Sequence, residues 1–362
     1  MQFTKAKLFI RSFPGPAAAL LCGVLASGCG EKAPEQPAPP PFSARVETDK
    51  TLGRPVVVLA RAGALPLEAR IAPGAGANLF SLTCQGQDPI YPPDSMAGFD
   101  GSRPGIPVLY PSPCRLTSGR FAFDGVSFDF GINRDGNWIH GLVRNEPWEH
   151  GPPAADQHGA RVLTWIDFRP GSPLYEKFGF DHRLSLLFSI DDQGLRIGYK
   201  VENRDSRRLP FGFGVHPYFN YLGPRDQAYV QVPAGEQMEL ADLIPTGRLE
   251  KVEGTATDLR QPTQVAGRAI DNVYFGMTPQ QQARIEYRQA GIRISLTASE
   301  AFRHLIVWND PANPFFCVEN MTCSPDVFNV YARGFEEESG LQVVPPHGSS
   351  EGWIRYLVET ME

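Results

Sequence analysis

The chain has 362 residues and a formal net charge of −6, from 34 basic and 40 acidic side chains. A hydrophobic content of 42% can supply a large core, and 36 glycines with 34 prolines favour many turns and short strands over long helices. Because no cluster of basic residues offsets the acidity, the chain is a poor candidate for binding nucleic acid or anionic lipid surfaces, whereas neutral small molecules fit it.

Residues 1–28 have the organisation of a secretory signal peptide, with three basic residues before an apolar run that is too short to span a bilayer. The small residues before Cys29 resemble the lipobox of bacterial lipoproteins, although Ala26 stands where leucine is usual. We predict that Cys29 is lipidated and anchors the protein in the bacterial envelope. Gly30 favours the periplasmic side of the outer membrane. A secreted protein that is cleaved nearby is the alternative.

A proline-rich tether of residues 29–45 follows, and its composition cannot form a core. Strand-like segments then recur to the end of the chain: RPVVVLARAG, VLTWIDF, HRLSLLFSI, LRIGYKVEN, ARIEYRQ, IRISLTAS and HLIVWND. The turn sequences DDQG and QAG predict two hairpins, and TPQQQAR indicates at most a short helix. We predict one large antiparallel β-sandwich over residues 46–362, with two packed β domains as the alternative.

Four cysteines lie beyond the signal segment and Cys29, namely Cys84, Cys114, Cys317 and Cys323. Their spacing contains no CxxC pattern of the kind that binds metals. An oxidising compartment permits disulfides, and Cys317 and Cys323 are close enough in sequence to pair. Free buried thiols fit the sequence equally well.

The first candidate site is FGFGVHPYFN, residues 211–220. A strand period of two places Gly212, Gly214 and His216 on one face and the apolar side chains on the other. We expect the glycines to leave open space beside the backbone, and Pro217 to end the strand at His216. On these residues alone, His216 is either a buried structural histidine or a catalytic group.

Two further stretches carry polar side chains that could bind a ligand or take part in catalysis. Residues 137–151 bring together His140, Arg144 and Trp148, a combination of donors and an aromatic plane that suits sugar rings, although a solvated loop is the alternative. In FFCVE, alternation places Glu319 on the face of Cys317 and Phe315. Apolar neighbours raise the pKa of a carboxyl group, which favours a general base.

Together, these stretches resemble one family, the aldose 1-epimerases or galactose mutarotases. IHGLVRNEPWE resembles its HGFAR-type segment, GVHPYFN its HxYFN segment and FCVENMTCSPDVFN its CxEP and PDAFN segments. Residues 103–125 resemble the GGIPVLFP region, IDNVYFG the family's aspartate segment, and VVPPHGSSEGWIRY its closing strand. The resemblance runs from about residue 50 to 360.

The resemblance implies an antiparallel β "supersandwich" and a cofactor-free isomerase that interconverts the anomers of an aldohexose. Glu319 would take the C1 hydroxyl proton, His216 would protonate the ring oxygen, and His140 would bind the sugar near the reacting centre. By the same resemblance, the remaining sugar hydroxyls would be held by Arg115, Arg144 and Asp271. Trp148 would add an aromatic plane, and no metal is implied.

Two departures from the family pattern affect the pocket. Asn320 and Met321 stand where proline and tryptophan are frequent, which predicts a different pocket wall. The GIPVLYP and HGLVR forms are closer to the hexose-phosphate-type and uncharacterised branches than to the galactose enzymes. A non-catalytic, sugar-binding envelope lipoprotein on the same fold is the main alternative, and a polysaccharide-modifying β-sandwich is disfavoured because no helical toroid precedes the strands.

Overall fold

The structure is a computed structural model that describes residues 41–50, 53–93, 99–100 and 104–361. The strands of the first half are β1 Phe42–Thr48, β2 Pro55–Arg61, β3 Leu67–Ala72, β4 Asn78–Cys84, β5 Val108–Leu109, β6 Arg115–Thr117, β7 Arg120–Phe123, β8 Val126–Asp129, β9 Asn137–Ile139, β10 Glu149–His150, β11 Ala154–Asp156, β12 Gly159–Phe168, β13 His182–Asp191 and β14 Gly194–Asn203. A short helix, α1 Pro173–Phe178, lies between β12 and β13.

The second half continues the same pattern of strands with few helices. Its strands are β15 Leu209–Phe211, β16 Gly214–Val215, β17 Tyr218–Asn220, β18 Ala228–Gln231, β19 Glu236–Ala241, β20 Ile244–Lys251, β21 Thr263–Gln264, β22 Ile270–Phe275, β23 Ala283–Tyr287, β24 Ile292–Ala298, β25 His304–Asn309, β26 Phe315–Met321, β27 Gln342–Val344 and β28 Ser349–Thr360. The helices α2 Val327–Ala332 and α3 Glu336–Ser339 precede the last two strands, and Arg225–Gln227 forms a 3₁₀ turn.

Two large antiparallel sheets form the sandwich. The ten-stranded sheet has the order β10-β12-β13-β14-β28-β24-β23-β18-β21, with β11 also paired to β12. The eight-stranded sheet has the order β20-β19-β22-β25-β26-β16-β5, with β17 also paired to β26. Within the described residues, a four-stranded sheet β1-β2-β3-β4 and three two-stranded ribbons complete the fold. The predicted all-β sandwich is confirmed.

The main core lies between the inner faces of the two large sheets. In β14 and β26 alternate residues point inward, and Ile197, Tyr199, Phe316 and Val318 are all buried in this one cluster. The alternation follows from the period of two in a strand. The residues that alternate with them, such as Cys317 and Glu319 in β26, point to the outer faces. The position of a polar side chain in the sheet therefore determines whether it lies in a pocket or in solvent.

Both predicted hairpins are present, because β13 pairs with β14 across residues 191–194 and β23 pairs with β24 across residues 287–292. The short helix suggested by TPQQQAR is wrong, since the segment leads directly into β23. The first strand begins at Phe42, four residues before the predicted domain boundary at residue 46. Cys29 and the signal segment lie outside the described residues.

The expected open space beside Gly212 and Gly214 is absent. A Cβ on Gly212 would overlap Cys323 Sγ and lie 3.0 Å from Pro113 Cδ, and a Cβ on Gly214 would overlap Met321 Sδ. Protein atoms therefore fill the space that the sequence assigned to a ligand. The two glycines allow close packing of neighbouring segments rather than access for a substrate.

The four cysteines of the described chain, Cys84, Cys114, Cys317 and Cys323, are free and buried. The question that the sequence left open is thus decided in favour of buried thiols, including the pair that is close in sequence. No helix among the described residues is long and apolar enough to cross a membrane.

Substituting Gly212 tests the close packing. We expect Gly212→Ala to lower the free energy of unfolding by about 1–3 kcal/mol, because the new methyl group overpacks against Cys323. Gly235→Ala is the matched control, since a Cβ there meets no atom within 4 Å and the backbone is not left-handed. Chemical denaturation measures both variants, and equal stabilities would contradict the packing role.

Candidate functional site

The pairing register of β16, β17, β25 and β26 brings Glu319 and His216 together. Gly214 pairs with Met321 and Tyr218 pairs with Cys317, so His216, midway between them, lies opposite Glu319. On its other side β26 pairs with β25. Because all these residues point away from the main core, the register places the carboxyl group and the imidazole side by side on the outer face of the eight-stranded sheet.

Glu319 and His216 are in direct contact in a buried setting. His216 Nε2 lies 3.3 Å from Glu319 Oε1, and only 3% of the Glu319 side chain is exposed. The imidazole stacks on the ring of Tyr218, with centroids 4.6 Å apart and planes 13° apart. The ring orientation is thus set by an aromatic neighbour on one side and a carboxyl group on the other.

His140 reaches the same site from an unusual backbone conformation. Its φ of 69° lies in the left-handed region, and its N–H donates to the carbonyl oxygen of Cys114 at 2.9 Å. Gly141 follows with φ 68°, and a Cβ there would overlap the carbonyl oxygen of Tyr110. This close approach turns the chain so that the His140 ring packs edge-on against that of His216, with centroids 5.0 Å apart.

Arg115 enters the pocket from β6, which is held in place by Asp326. The Asp326 N–H donates to the Arg115 carbonyl oxygen at 2.6 Å, and Asp326 Oδ1 accepts from the Thr117 N–H at 2.9 Å. Asp326 is buried and itself has a left-handed φ of 54°. Among the described residues no ion pair engages the guanidinium of Arg115, and the side chain lines the pocket.

These side chains line a cavity of about 320 Å³. Glu319, His216, His140, Arg115 and Asp271 all contribute to its wall, so the sequence predictions converge on one place. Such a volume is at the lower end of the range for sites that enclose small molecules.

Two of the residues singled out in the sequence do not line the cavity. Trp148 is buried in the main core, and its indole N–H donates to the Val143 carbonyl oxygen at 3.2 Å, so its predicted contact with the sugar is wrong. Arg144 lies close enough for its charge to act on His140 but is not part of the cavity wall. Packing against the core takes the tryptophan plane away from the site.

The cavity also contains residues that sequence reasoning missed. Arg134 reaches the wall from the loop before β9, and Trp308 reaches it from β25. Trp308 pairs in register with Cys317, one side-chain row from Glu319, and stacks on Phe315 with centroids 5.9 Å apart. The strand alternation of HLIVWND could have identified Trp308 as outward-facing. No sequence pattern indicates that the loop carrying Arg134 folds over this sheet.

The electrostatics of the site separate its ionisable groups. Burial and the negative charge of Asp271 raise the pKa of Glu319 well above its ordinary value, and Arg115 opposes the shift. Burial and the neighbouring charges of His216, Arg144 and Arg115 lower the pKa of His140 well below that of a free imidazole. His140 is therefore neutral near pH 7 and can exchange hydrogen bonds but not supply a proton as an imidazolium.

Within the described chain, His216, Cys317 and Glu319 form a cluster whose candidate ligand atoms lie within 4.8 Å of one another. A metal would need the thiolate form of the cysteine. Burial and the charge of Glu319 raise the pKa of Cys317 well above its ordinary value, so the thiol stays protonated near neutrality. The residues fit a proton-transfer pair better than a metal centre.

Comparison with known proteins agrees with this geometry. The family model "Aldose 1-epimerase" matches residues 68–357. The chain belongs to the aldose 1-epimerase family. This match contains the whole of the cavity described above, so the family resemblance and the site rest on the same residues.

The similar proteins are distant from this chain in sequence. The chain is 24% identical to the uncharacterized protein YihR of Escherichia coli over 70% of this chain and 80% of the relative. It is 30% identical to the galactose mutarotase of Rattus norvegicus over 42% of this chain and 44% of the relative. A galactose mutarotase-like protein from Clostridium acetobutylicum superposes with a TM-score of 0.78 at 24% identity, covering 88% of this chain and 99% of that one. The galactose 1-epimerase of Lactobacillus acidophilus gives 0.68 at 14% identity, covering 89% and 99%. At such identities, the two structures show the shared fold.

The raised pKa of Glu319 predicts a cost in stability. Between the unfolded pKa of about 4.3 and the higher folded pKa, the folded state binds more protons, so the free energy of unfolding falls as pH rises. We expect Glu319→Gln to raise the thermal midpoint near pH 8 and to change it little near pH 3, where the carboxyl group is protonated in both states of the wild type. A thermal midpoint of the variant below that of wild type near pH 8 would contradict the expected cost of burying the Glu319 carboxyl group.

Proposed function

We propose that the protein is an aldose 1-epimerase that interconverts the α and β anomers of a free aldose. The observation that carries the proposal is the buried contact of 3.3 Å between His216 Nε2 and Glu319 Oε1 inside a small polar cavity. Anomer exchange requires one proton to be removed from a sugar and another to be delivered to it, and an acid and a base in contact meet that need.

In the forward half of the reaction, ionised Glu319 takes the proton from the C1 hydroxyl while protonated His216 gives a proton to the ring oxygen. The C1–O bond of the ring breaks and the carbonyl of the open-chain aldehyde forms. Rotation about C1–C2 exposes the other face of the carbonyl. Closure runs the same transfers backwards, which returns the proton to His216 and leaves Glu319 ionised.

The pair holds one proton in total throughout this cycle. Opening moves it from the histidine to the glutamate, and closure moves it back. Because burial and Asp271 raise the pKa of Glu319, the carboxyl group is a stronger base than an exposed glutamate. The two protonation arrangements are thereby brought closer in free energy, as reversible proton exchange requires.

The remaining polar groups of the cavity are suited to hold hydroxyls. Arg115 supplies donors, and Asp271 supplies acceptors from β22. His140 Nδ1 is buried and has no hydrogen-bond partner among the described residues, so a sugar hydroxyl can satisfy it. Trp308 adds an aromatic plane in the place where the sequence suggested Trp148.

A non-catalytic sugar-binding protein on the same fold is the second candidate, but binding alone would not require a buried acid–base pair.

The rest of the proposal concerns location. We propose that residues 1–28 are removed, that a lipid on Cys29 holds the protein at the periplasmic side of the outer membrane, and that the proline-rich tether predicted over residues 29–45 acts as the spacer. Support for this comes from the sequence pattern alone.

The proposal is tested by polarimetry on freshly dissolved α-glucose and α-galactose. We expect wild type to accelerate mutarotation and Glu319→Gln to lower kcat by roughly 10²- to 10⁴-fold, because the base is lost while the cavity keeps its shape. Glu286→Gln is the matched control, since Glu286 is also buried but lies in β23 on the other large sheet. Sugar binding without acceleration by wild type would favour the non-catalytic candidate.

The influence of Asp271 on Glu319 gives a pH test. The negative charge of Asp271 raises the pKa of Glu319, so removing it lowers that pKa. In Asp271→Asn we expect the acid limb of the kcat/KM profile to move to lower pH, and KM to rise through loss of an acceptor. An acid limb that stays in place or moves to higher pH would show that another group controls it.

A further inference from the structure

A second concave surface lies on the outer face of the ten-stranded sheet. This depression has a volume of about 820 Å³, larger than the cavity of the candidate active site, and its floor crosses β12, β13, β14 and β28. The main core separates it from Glu319, which lies on the outer face of the other large sheet. The volume is within the range of small-ligand sites, roughly 300–1,000 Å³.

The floor of the depression is a cross-strand row with one side chain missing. The row runs Leu163, Leu187, Gly198 and Trp353 in direct register. Gly198 has no left-handed φ, and a Cβ there would meet no atom nearer than 3.8 Å. Because neither backbone conformation nor packing requires glycine, its effect is the room that it leaves for the Arg196 guanidinium, whose Nη1 lies 3.9 Å from the Cβ position and which sits over the Trp353 ring.

Arg196 lines the same depression with its donors available. Its guanidinium lies 5.3 Å from the ring centroid of Trp353, and no hydrogen bond or ion pair joins it to an acceptor within the part of the chain that the structure describes. The neighbouring cation Arg355, by contrast, is bound by both oxygens of Asp191. An arginine without an acceptor beside an aromatic ring in a concave surface is the arrangement of a ligand-binding pair.

The charges around the depression favour a neutral ligand. Lys200 pairs with Glu202 at 2.8 Å and lies opposite Glu351 in register, and Glu300 is on the rim. With Arg196, this gives two basic and three acidic side chains on the wall, so an anion gains no net attraction. Alternating donors and acceptors around an indole match the hydroxyl rim and apolar face of a sugar ring.

A second tryptophan extends the surface across the sheet. Trp165 of β12 points to the same face and carries Arg183 at 5.3 Å from its ring centroid. β12 and β28 are three strand intervals apart, and Trp165 lies two residues along its strand from the row of Trp353, so the two residues are roughly 16 Å apart at the usual strand dimensions. Two indoles at this separation suit an extended chain of rings rather than one monosaccharide.

We propose that this depression binds a neutral oligosaccharide, with the Trp353–Arg196 pair supplying the aromatic contact and the hydroxyl donors, and with Trp165, beside the depression, as a second contact. The site is independent of the proposed epimerase activity. It would hold the protein on a glycan while the cavity on the opposite sheet acts on free sugar. The side chain missing at Gly198 provides the room for the Arg196 guanidinium over Trp353, and the ligand binds to this arginine–indole pair.

The test uses borohydride-reduced tetraoses of maltose, cellulose, xylan and chitin type. Their open-chain ends cannot occupy the candidate active site as cyclic aldoses. Calorimetry on the full chain is expected to show binding of at least one of them. Trp353→Ala and Gly198→Val are each expected to weaken it about tenfold or more, with mutarotation of monosaccharides unchanged.

Thr297→Val is the matched control for Gly198→Val, because it adds an apolar side chain to the outer face of the same sheet outside the depression. We expect the fold to tolerate valine at position 198, since the nearest side-chain atom, at 3.9 Å, is the movable end of Arg196, and valine favours strands. Three results would overturn the proposal. The first is that wild type binds no tetraose, and the second is that Trp353→Ala and Gly198→Val bind the tetraoses as tightly as wild type does. The third is that wild type binds a reduced tetragalacturonate more tightly than any of the neutral tetraoses. A dimer of wild type that Gly198→Val dissociates would assign the surface to a second copy of the chain instead.

Discussion

The candidate active site depends on one buried contact, between the carboxyl group of Glu319 and the imidazole of His216. A carboxylate removed from water is destabilised, and here Asp271 adds repulsion while Arg115 offsets part of it. The fold can retain such a group only because strand pairing fixes it in place on both sides. The proposed reactivity of Glu319 and its expected cost to folding stability therefore have the same physical origin, the burial of its carboxyl group.

The sheet supplies rigidity, and the loops above it supply the other polar groups. His140 and Asp326 both occupy left-handed backbone conformations, which cost energy in residues other than glycine. Each of them directs a group toward the cavity. The first carries its own ring there, and the second fixes the strand that carries Arg115 by two hydrogen bonds. Strained backbone at these two positions thus helps to place the polar groups of the site.

The sandwich has two outer faces with different character. Loops cover the eight-stranded sheet and enclose a small cavity around Glu319 and His216. The ten-stranded sheet has an open depression lined by an indole and by a guanidinium that no ion pair engages among the described residues. The shared core between the sheets supports both faces while keeping them apart. One domain therefore carries two separate concave surfaces.

The sequence by itself determined the all-β architecture, the two hairpins, the burial of Glu319 and the outward direction of His216, because strand alternation is a local property with a period of two. The family resemblance added which polar residues belong to one site. Tertiary structure alone decided that Met321 and Cys323 fill the space beside Gly214 and Gly212, that Trp148 packs into the core, and that Arg134 and Trp308 reach the cavity. These outcomes depend on contacts between segments far apart in the chain, which no local pattern specifies.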